Sequence, residues 1–222
     1  NVKYLKEIRK HLKAYNIKKY RIILEPAKKN TGPAILCTAL IKDIPEKQPI
    51  IFLAADHLIE KVNKFNDEIR KSAKFLTEKN IFIFGVKPNE PSDQFGYLVT
   101  KKIKKKLNKV VKFIEKPNKL NAKKIIKKGG YWNSGMFFSR KESIINNFRK
   151  YQKSIYKNSL LAINKSIFKN NTYYLNKSLF SKNSSRSFDY AILEKSKDIF
   201  AIKLNIPWSD LGSWKEILLM YN

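Results

Sequence analysis

The stretch QPIIFLAAD, Gln48 to Asp56, decides the fold. It is continuous and apolar, and it stops on a carboxylate. A run of this kind reads as a strand buried on both faces, as in parallel sheets. IFIFGV (Ile81–Val86) repeats the pattern, and YRIILE (Tyr20–Glu25) and IFAIKLN (Ile199–Asn205) are further strands. Helical stretches lie between them. In NTGPAILCTALIKDI (Asn30–Ile44), Thr31 or Gly32 serves as cap and Pro33 falls in the first turn. From about Lys61 to Lys79, Phe65, Ile69, Ser72 and Leu76 share one stripe. The alternation predicts an α/β fold, a Rossmann-like, mixed but mostly parallel sheet flanked by helices.

The remaining segments fit the same scheme. Val2, Leu5, Ile8 and Leu12 give the opening residues one apolar helical face. KPNEPSDQF (Lys87–Phe95) is a loop leading into the strand GYLVTKKI, and KVVKFIEKP (Lys109–Pro117) is a strand ended by proline. NKLNAKKIIKKGG (Asn118–Gly130) is a helix closed by its glycine pair. Helical and irregular polar segments run to about Ser187, which caps a short helix in SFDYAILEK. IPWSDLGSW (Ile206–Trp214) is a loop, and KEILLMYN (Lys215–Asn222) begins a helix. No internal repeat or flexible linker interrupts the chain, so a single domain over residues 1–222 is expected.

The formal charge of +29 invites a nucleic-acid reading. Lysine far outnumbers arginine, however, and it is spread through nearly every segment beside abundant Ile and Asn. Nucleic-acid surfaces use arginine forks for phosphates and bases. The composition fits drift in an AT-rich genome better, and the run Lys101–Lys109 reads as a solvated strand edge and turn. Cys37, the single cysteine, excludes a disulfide framework and reads as core. His11 and His57 have no partners at zinc spacing. The opening is charged throughout and the apolar runs are too short to span a bilayer, so a soluble, cytoplasmic protein without membrane or specific nucleic-acid partners is expected.

In an open α/β sheet, ligands sit outside the carboxyl ends of the strands. Asp56 ends the most apolar strand, where it either faces that crevice or caps the next turn. Asp210 lies in WSDLGSW, and two carboxylates from distant strand ends can converge on a hard cation such as magnesium. Glu115 and Lys116 end a strand in FIEKP, where distortion before Pro117 would let both enter one site; otherwise they are a surface ion pair. Gly96, between two aromatics, marks a close backbone approach or a bulge. In GGYWNSGMFFS (Gly129–Ser139), Asn133 and Gly135 break an apolar strand with groups that need partners.

Together LEPAKKNTGPAI, FLAADHLI, FGVKPNEPSDQFGYL, FIEKP, GGYWNSGMFFS, SFDYAILEK and WSDLGSW resemble, in order and approximate spacing, the bacterial mannose-1-phosphate guanylyltransferases. The resemblance covers nearly the whole chain. It implies that Asp56 and Asp210 hold a catalytic Mg2+ and that Lys116 binds the sugar phosphate. Gly96, Glu115 and Asn133 match positions lining the sugar pocket. Glu25 to Ala34 matches a loop on the nucleotide side, with Asn30 and Thr31 its foremost polar contacts. The implied reaction joins GTP and mannose 1-phosphate into GDP-mannose, with pyrophosphate released by in-line attack and no covalent intermediate.

The sequence departs from that family in several places. The strand and glycine-rich loop that cradle the triphosphate have no counterpart here, and neither has the usual C-terminal region. The expectation is therefore a domain truncated at both ends and nearly inactive alone. Lys29 stands for the usual arginine, Gly32 for alanine, and Gln94 for a glycine. Three alternatives remain: a sister enzyme using another base or hexose phosphate, a non-catalytic remnant that serves as a binding piece, and, weakest, a nucleic-acid module. The sequence leaves room for a homo-oligomer.

Overall fold

The structure is a computed structural model that describes residues 1–104 and 107–212. The expected C-terminal helix of KEILLMYN, together with Lys105 and Lys106 of the lysine run, lies outside the described residues. In chain order, a 3-10 turn (Val2–Tyr4) leads into α1 (Leu5–Ala14), then β1 (Ile22–Leu24), α2 (Thr31–Ala39), β2 (Pro49–Phe52) and β3 (Leu58–Ile59). Next come α3 (Val62–Ala73), β4 (Ile81–Val86), β5 (Tyr97–Lys104), β6 (Leu107–Ile114), α4 (Lys119–Lys127) and β7 (Tyr131–Arg140). The remainder is α5 (Lys141–Tyr151), α6 (Lys153–Asn164), β8 (Ile167–Lys169), β9 (Thr172–Tyr174), α7 (Lys177–Ser181), a π-helical turn (Asp189–Leu193), β10 (Ile199–Leu204) and β11 (Trp208–Ser209). The chain forms two compact units: Asn1–Pro45 with Ile144–Lys195, and Glu46–Ser143 with Ser196–Asn222.

The second unit is built on a six-stranded sheet in the order β2-β7-β4-β10-β6-β5. The α/β class expected from the sequence holds, but the strand directions do not. β4 and β10 run parallel, and every other described pairing in this sheet is antiparallel. A continuous apolar run reports burial on both faces, which either direction supplies. β4 is buried at all six positions because β7 and β10 flank it and side chains cover both faces. On one face Phe65 of α3 joins Phe82, Phe84, Met136, Phe138 and Ile202. A second cluster sets Ala122 and Ile125 of α4 against Tyr97 and Trp132.

Two expectations for this unit need correction. β2 covers only Pro49–Phe52 and lies at the end of the strand order, so its residues are half-buried, with Pro49 exposed. α3 ends at Ala73, and Leu76 reaches the core from the segment beyond it. β7 is continuous through its polar break. Tyr131 and Trp132 pair with β5, whereas Phe137–Arg140 pair with β2, so one edge of the strand changes partner at Asn133–Gly135. The Asn133 N–H donates to the Gly96 carbonyl at 2.7 Å. The Asn133 side-chain oxygen then accepts the Gly135 N–H at 3.0 Å. The break supplies by side chain what the ladder lacks there.

In the first unit β1 pairs parallel with β9, and β8–β9 is a hairpin the sequence reading missed. Its two-residue turn is Asn170–Asn171, with φ of 50° and 58°. Two left-handed residues in succession are the requirement of the tight turn that suits strand twist. α2 is capped by Asn30, not Thr31 or Gly32: the Asn30 side chain accepts the Thr31 N–H at 2.8 Å. The cap residue sits at φ 64° and ψ −176°, a region that favours glycine, so Asn30 caps from a strained backbone. The cap expected at Ser187 falls one residue later, on Phe188, and the turn is π-helical; the Ser187 hydroxyl, one residue outside, accepts the Tyr190 N–H at 3.3 Å. Cys37 packs with Ala162, Ile163, Leu175 and Phe180, and burial pushes its thiol up to about 12. That is core behaviour, not nucleophile behaviour.

Candidate functional site

Gly96, Glu115 and Asn133 come together in the second unit. A Cβ placed on Gly96 would lie 2.6 Å from Glu115 Oε2 and 3.4 Å from Asn133 Cβ. The chain produces this meeting by pairing β5 with both β6 and β7, which brings Tyr97 opposite Ile114 and Trp132. At the end of β6 the backbone leaves extended geometry: Lys116 has φ 44°, followed directly by Pro117. A lysine in the left-handed region is costly, and the residue before proline is further restricted. Glu115 is half-buried and Lys116 exposed, and both lie just beyond β6, which ends at Ile114. Lys116 joins none of the ion pairs among the described residues.

Asp56 and Asp210 are connected through a two-stranded sheet. β3 and β11 run antiparallel, with Trp208 opposite Ile59 and Ser209 opposite Leu58. Asp210 directly follows β11 and His57, the neighbour of Asp56, directly precedes β3, at the same end of this pair. Asp56 is exposed in a turn and Asp210 is half-buried. The Asp210 Oδ1 accepts the Gly212 N–H at 3.1 Å, and Leu211 between them has φ 50°. Strain at Lys116 and at Leu211 thus flanks two of the residues that sequence reasoning singled out. Among the described residues no three His, Cys, Asp or Glu side chains gather as a metal cage. Two hard carboxylates nevertheless suit magnesium, which keeps waters and takes its remaining oxygens from substrate phosphates.

Glu25, Asn30 and Thr31 belong to the first unit. Glu25 follows β1, and burial raises its carboxyl above the usual range. Its Oε1 is buried without a hydrogen-bond partner among the described residues. The hydroxyl of Thr31 accepts the Phe188 N–H at 2.9 Å. Gly32 N–H donates to the Arg186 carbonyl at 3.0 Å, and Arg186 N–H to the Lys29 carbonyl at 3.2 Å. The loop entering α2 is therefore laced to residues 186–188, which holds its backbone in place.

Sequence reasoning passed over two residues of the second unit. His57 and Trp208 meet edge to face with ring centroids 5.3 Å apart. His57 Cε1 also lies 3.7 Å from a Cβ built on Gly135. Gly135, at φ 71°, owes its small size to its backbone turn, since a Cβ there would make only an ordinary contact with the imidazole. The available signal was position alone: His57 follows Asp56, and Trp208 precedes Asp210 by two.

The chain is similar to known proteins along nearly all of its length. The pattern of the nucleotidyl transferase family matches residues 1–221. A mannose-1-phosphate guanylyltransferase of Escherichia coli is 32% identical over 205 residues, 88% of this chain and 44% of the relative. The chain spans under half the length of the curated relatives it matches. Among solved structures, one of Helicobacter pylori described as a mannose-6-phosphate isomerase is 27% identical, with a TM-score of 0.84, over 94% of this chain and 82% of that one. One of Thermus thermophilus, described as a mannose-1-phosphate geranyltransferase, has a TM-score of 0.81 at 21% identity over 95% of this chain and 60% of that one, a likeness of fold. The chain belongs to the nucleotidyl transferase family.

Proposed function

We propose that this chain is the nucleotidyl-transfer domain of a sugar-1-phosphate nucleotidyltransferase, with GTP and mannose 1-phosphate as substrates and GDP-mannose and pyrophosphate as products. The observation that carries the reading is the meeting of Gly96, Glu115 and Asn133 beside the distorted Lys116. A carboxylate and a carboxamide around a glycine-made gap suit the hydroxyls of a hexose, which need both acceptors and donors. Lys116 is an exposed cation, which suits it to an anionic group such as the sugar phosphate. The E. coli relative named for this activity supports the choice of guanylyl and mannose.

In this reading the sugar phosphate oxygen attacks the α-phosphorus of the nucleotide, and pyrophosphate leaves in line. Lys116 holds the attacking phosphate and offsets its charge, while Glu115, Asn133 and the Gly96 backbone fix the ring. On the nucleotide side, Glu25, Asn30 and Thr31 are the polar contacts offered by the loop that enters α2. Asp56 and Asp210 would hold magnesium, which when bound supplies Lewis-acid neutralisation of the phosphate oxygens. The proposed compartment is the cytoplasm, and no described helix is long and apolar enough to cross a membrane. Pyrophosphate release over a panel of nucleoside triphosphates and hexose 1-phosphates tests the assignment. GTP with mannose 1-phosphate is expected to give the highest kcat/KM, and a preference for another pair would reassign the substrates.

A further inference from the structure

Two polar atoms buried in the second unit, His57 Nδ1 and Trp208 Nε1, have no hydrogen-bond partner among the described residues. Trp132 provides the contrast. Its indole N–H donates to the Tyr97 hydroxyl at 2.9 Å, and that hydroxyl in turn bonds both backbone atoms of Ser92. Phe95 touches both indoles, with ring centroids 4.7 Å from Trp132 and 5.8 Å from Trp208. In one aromatic row, then, one indole is satisfied within the described protein and the other is not. An indole N–H can only donate, so what Trp208 lacks is an acceptor. An imidazole with its proton on Nδ1 lacks the same thing.

The position of the pair is informative. Trp208 stands on β11, His57 directly precedes the partner strand β3 and follows Asp56, and His57 Cε1 lies 3.7 Å from a Cβ built on Gly135, two residues from Asn133. The turn after β11 is held by side-chain bonds from Ser209 and Asp210 and is strained at Leu211, a feature that clusters at ligand sites. We propose that Trp208 Nε1–H and His57 Nδ1–H are a donor pair for an oxygen of the sugar 1-phosphate, positioning it beside the two aspartates. This rests on the nucleotidyl-transfer reading and adds two contacts to it.

The test follows the indole resonances of the complete protein by NMR, with Trp208 assigned through Trp208→Phe. Adding mannose 1-phosphate should shift the Trp208 signal saturably and leave that of Trp132 in place. Inorganic phosphate is the second arm: a matching shift assigns the pair to the phosphate group, and a shift with mannose 1-phosphate alone assigns it to the ring hydroxyls. Either supports the proposal. Trp208→Phe and His57→Ala should each raise KM for mannose 1-phosphate roughly tenfold at nearly constant kcat, with His57→Gln recovering part of the loss. A Trp208 signal unmoved at saturating sugar phosphate, or wild-type KM in both variants, overturns the proposal. If the protein releases no pyrophosphate at all, the nucleotidyl-transfer reading fails, and the resonance shift still decides this one.

Discussion

A single methyl group at Gly96 probes the sugar side. In Gly96→Ala the new Cβ would meet Glu115 Oε2 at 2.6 Å, the far end of a side chain that can swing away. Stability should therefore fall little, roughly 2–4 °C in melting temperature for a cost near 1 kcal/mol. The displaced carboxylate should raise KM for mannose 1-phosphate by about tenfold. An unchanged KM would remove Glu115 from the pocket. Glu25 makes a different prediction, because burial raises its pKa above the ordinary 4.5. An acid raised on folding binds its proton more tightly in the native state. Its contribution is therefore most favourable below the ordinary value, and stability declines as pH rises through the window up to the raised value. Glu25→Gln should flatten that decline, melting higher than wild type at pH 7 and no higher at pH 4. Identical pH profiles would contradict it.

At the scale of elements, the β8–β9 hairpin depends on two asparagines in left-handed geometry. Asn170→Gly should be close to neutral, whereas Asn170→Val should cost about 1–2 kcal/mol, read from chemical denaturation. Equal stabilities would mean that the turn adapts. Asn-Asn between Phe168 and Tyr173 is a legible hairpin signal, yet each strand has only three residues, too few for alternation to stand out. β4 was legible in full because six consecutive apolar residues are all buried. Its neighbours were not legible, because composition does not encode strand direction. The change of partner along β7 was visible only as an awkward Asn-Ser-Gly, and its cause lies in β2 and β5, far away in sequence. For the site, Asp56, Glu115 and Asp210 stood out as carboxylates at strand ends or in constrained loops. His57 and Trp208 did not, since an aromatic beside an apolar strand reads first as core.

Across the whole molecule, 47 basic side chains against 18 acidic ones leave a strongly positive protein. In the proposed function Asp56 and Asp210 would concentrate a divalent cation against that background, and the positive surround favours approach of polyphosphates. The chain belongs to the nucleotidyl transferase family, and the cluster around Gly96 is the site proposed for its sugar substrate. What remains is turnover. The most direct measurement is magnesium-dependent pyrophosphate release from GTP and mannose 1-phosphate by the complete protein, beside Asp56→Asn and Asp210→Asn. The account predicts GDP-mannose formed in step with pyrophosphate, and a loss of roughly a hundredfold or more in each variant. Release that persists in both variants, or none from the wild-type protein with these substrates, would contradict it.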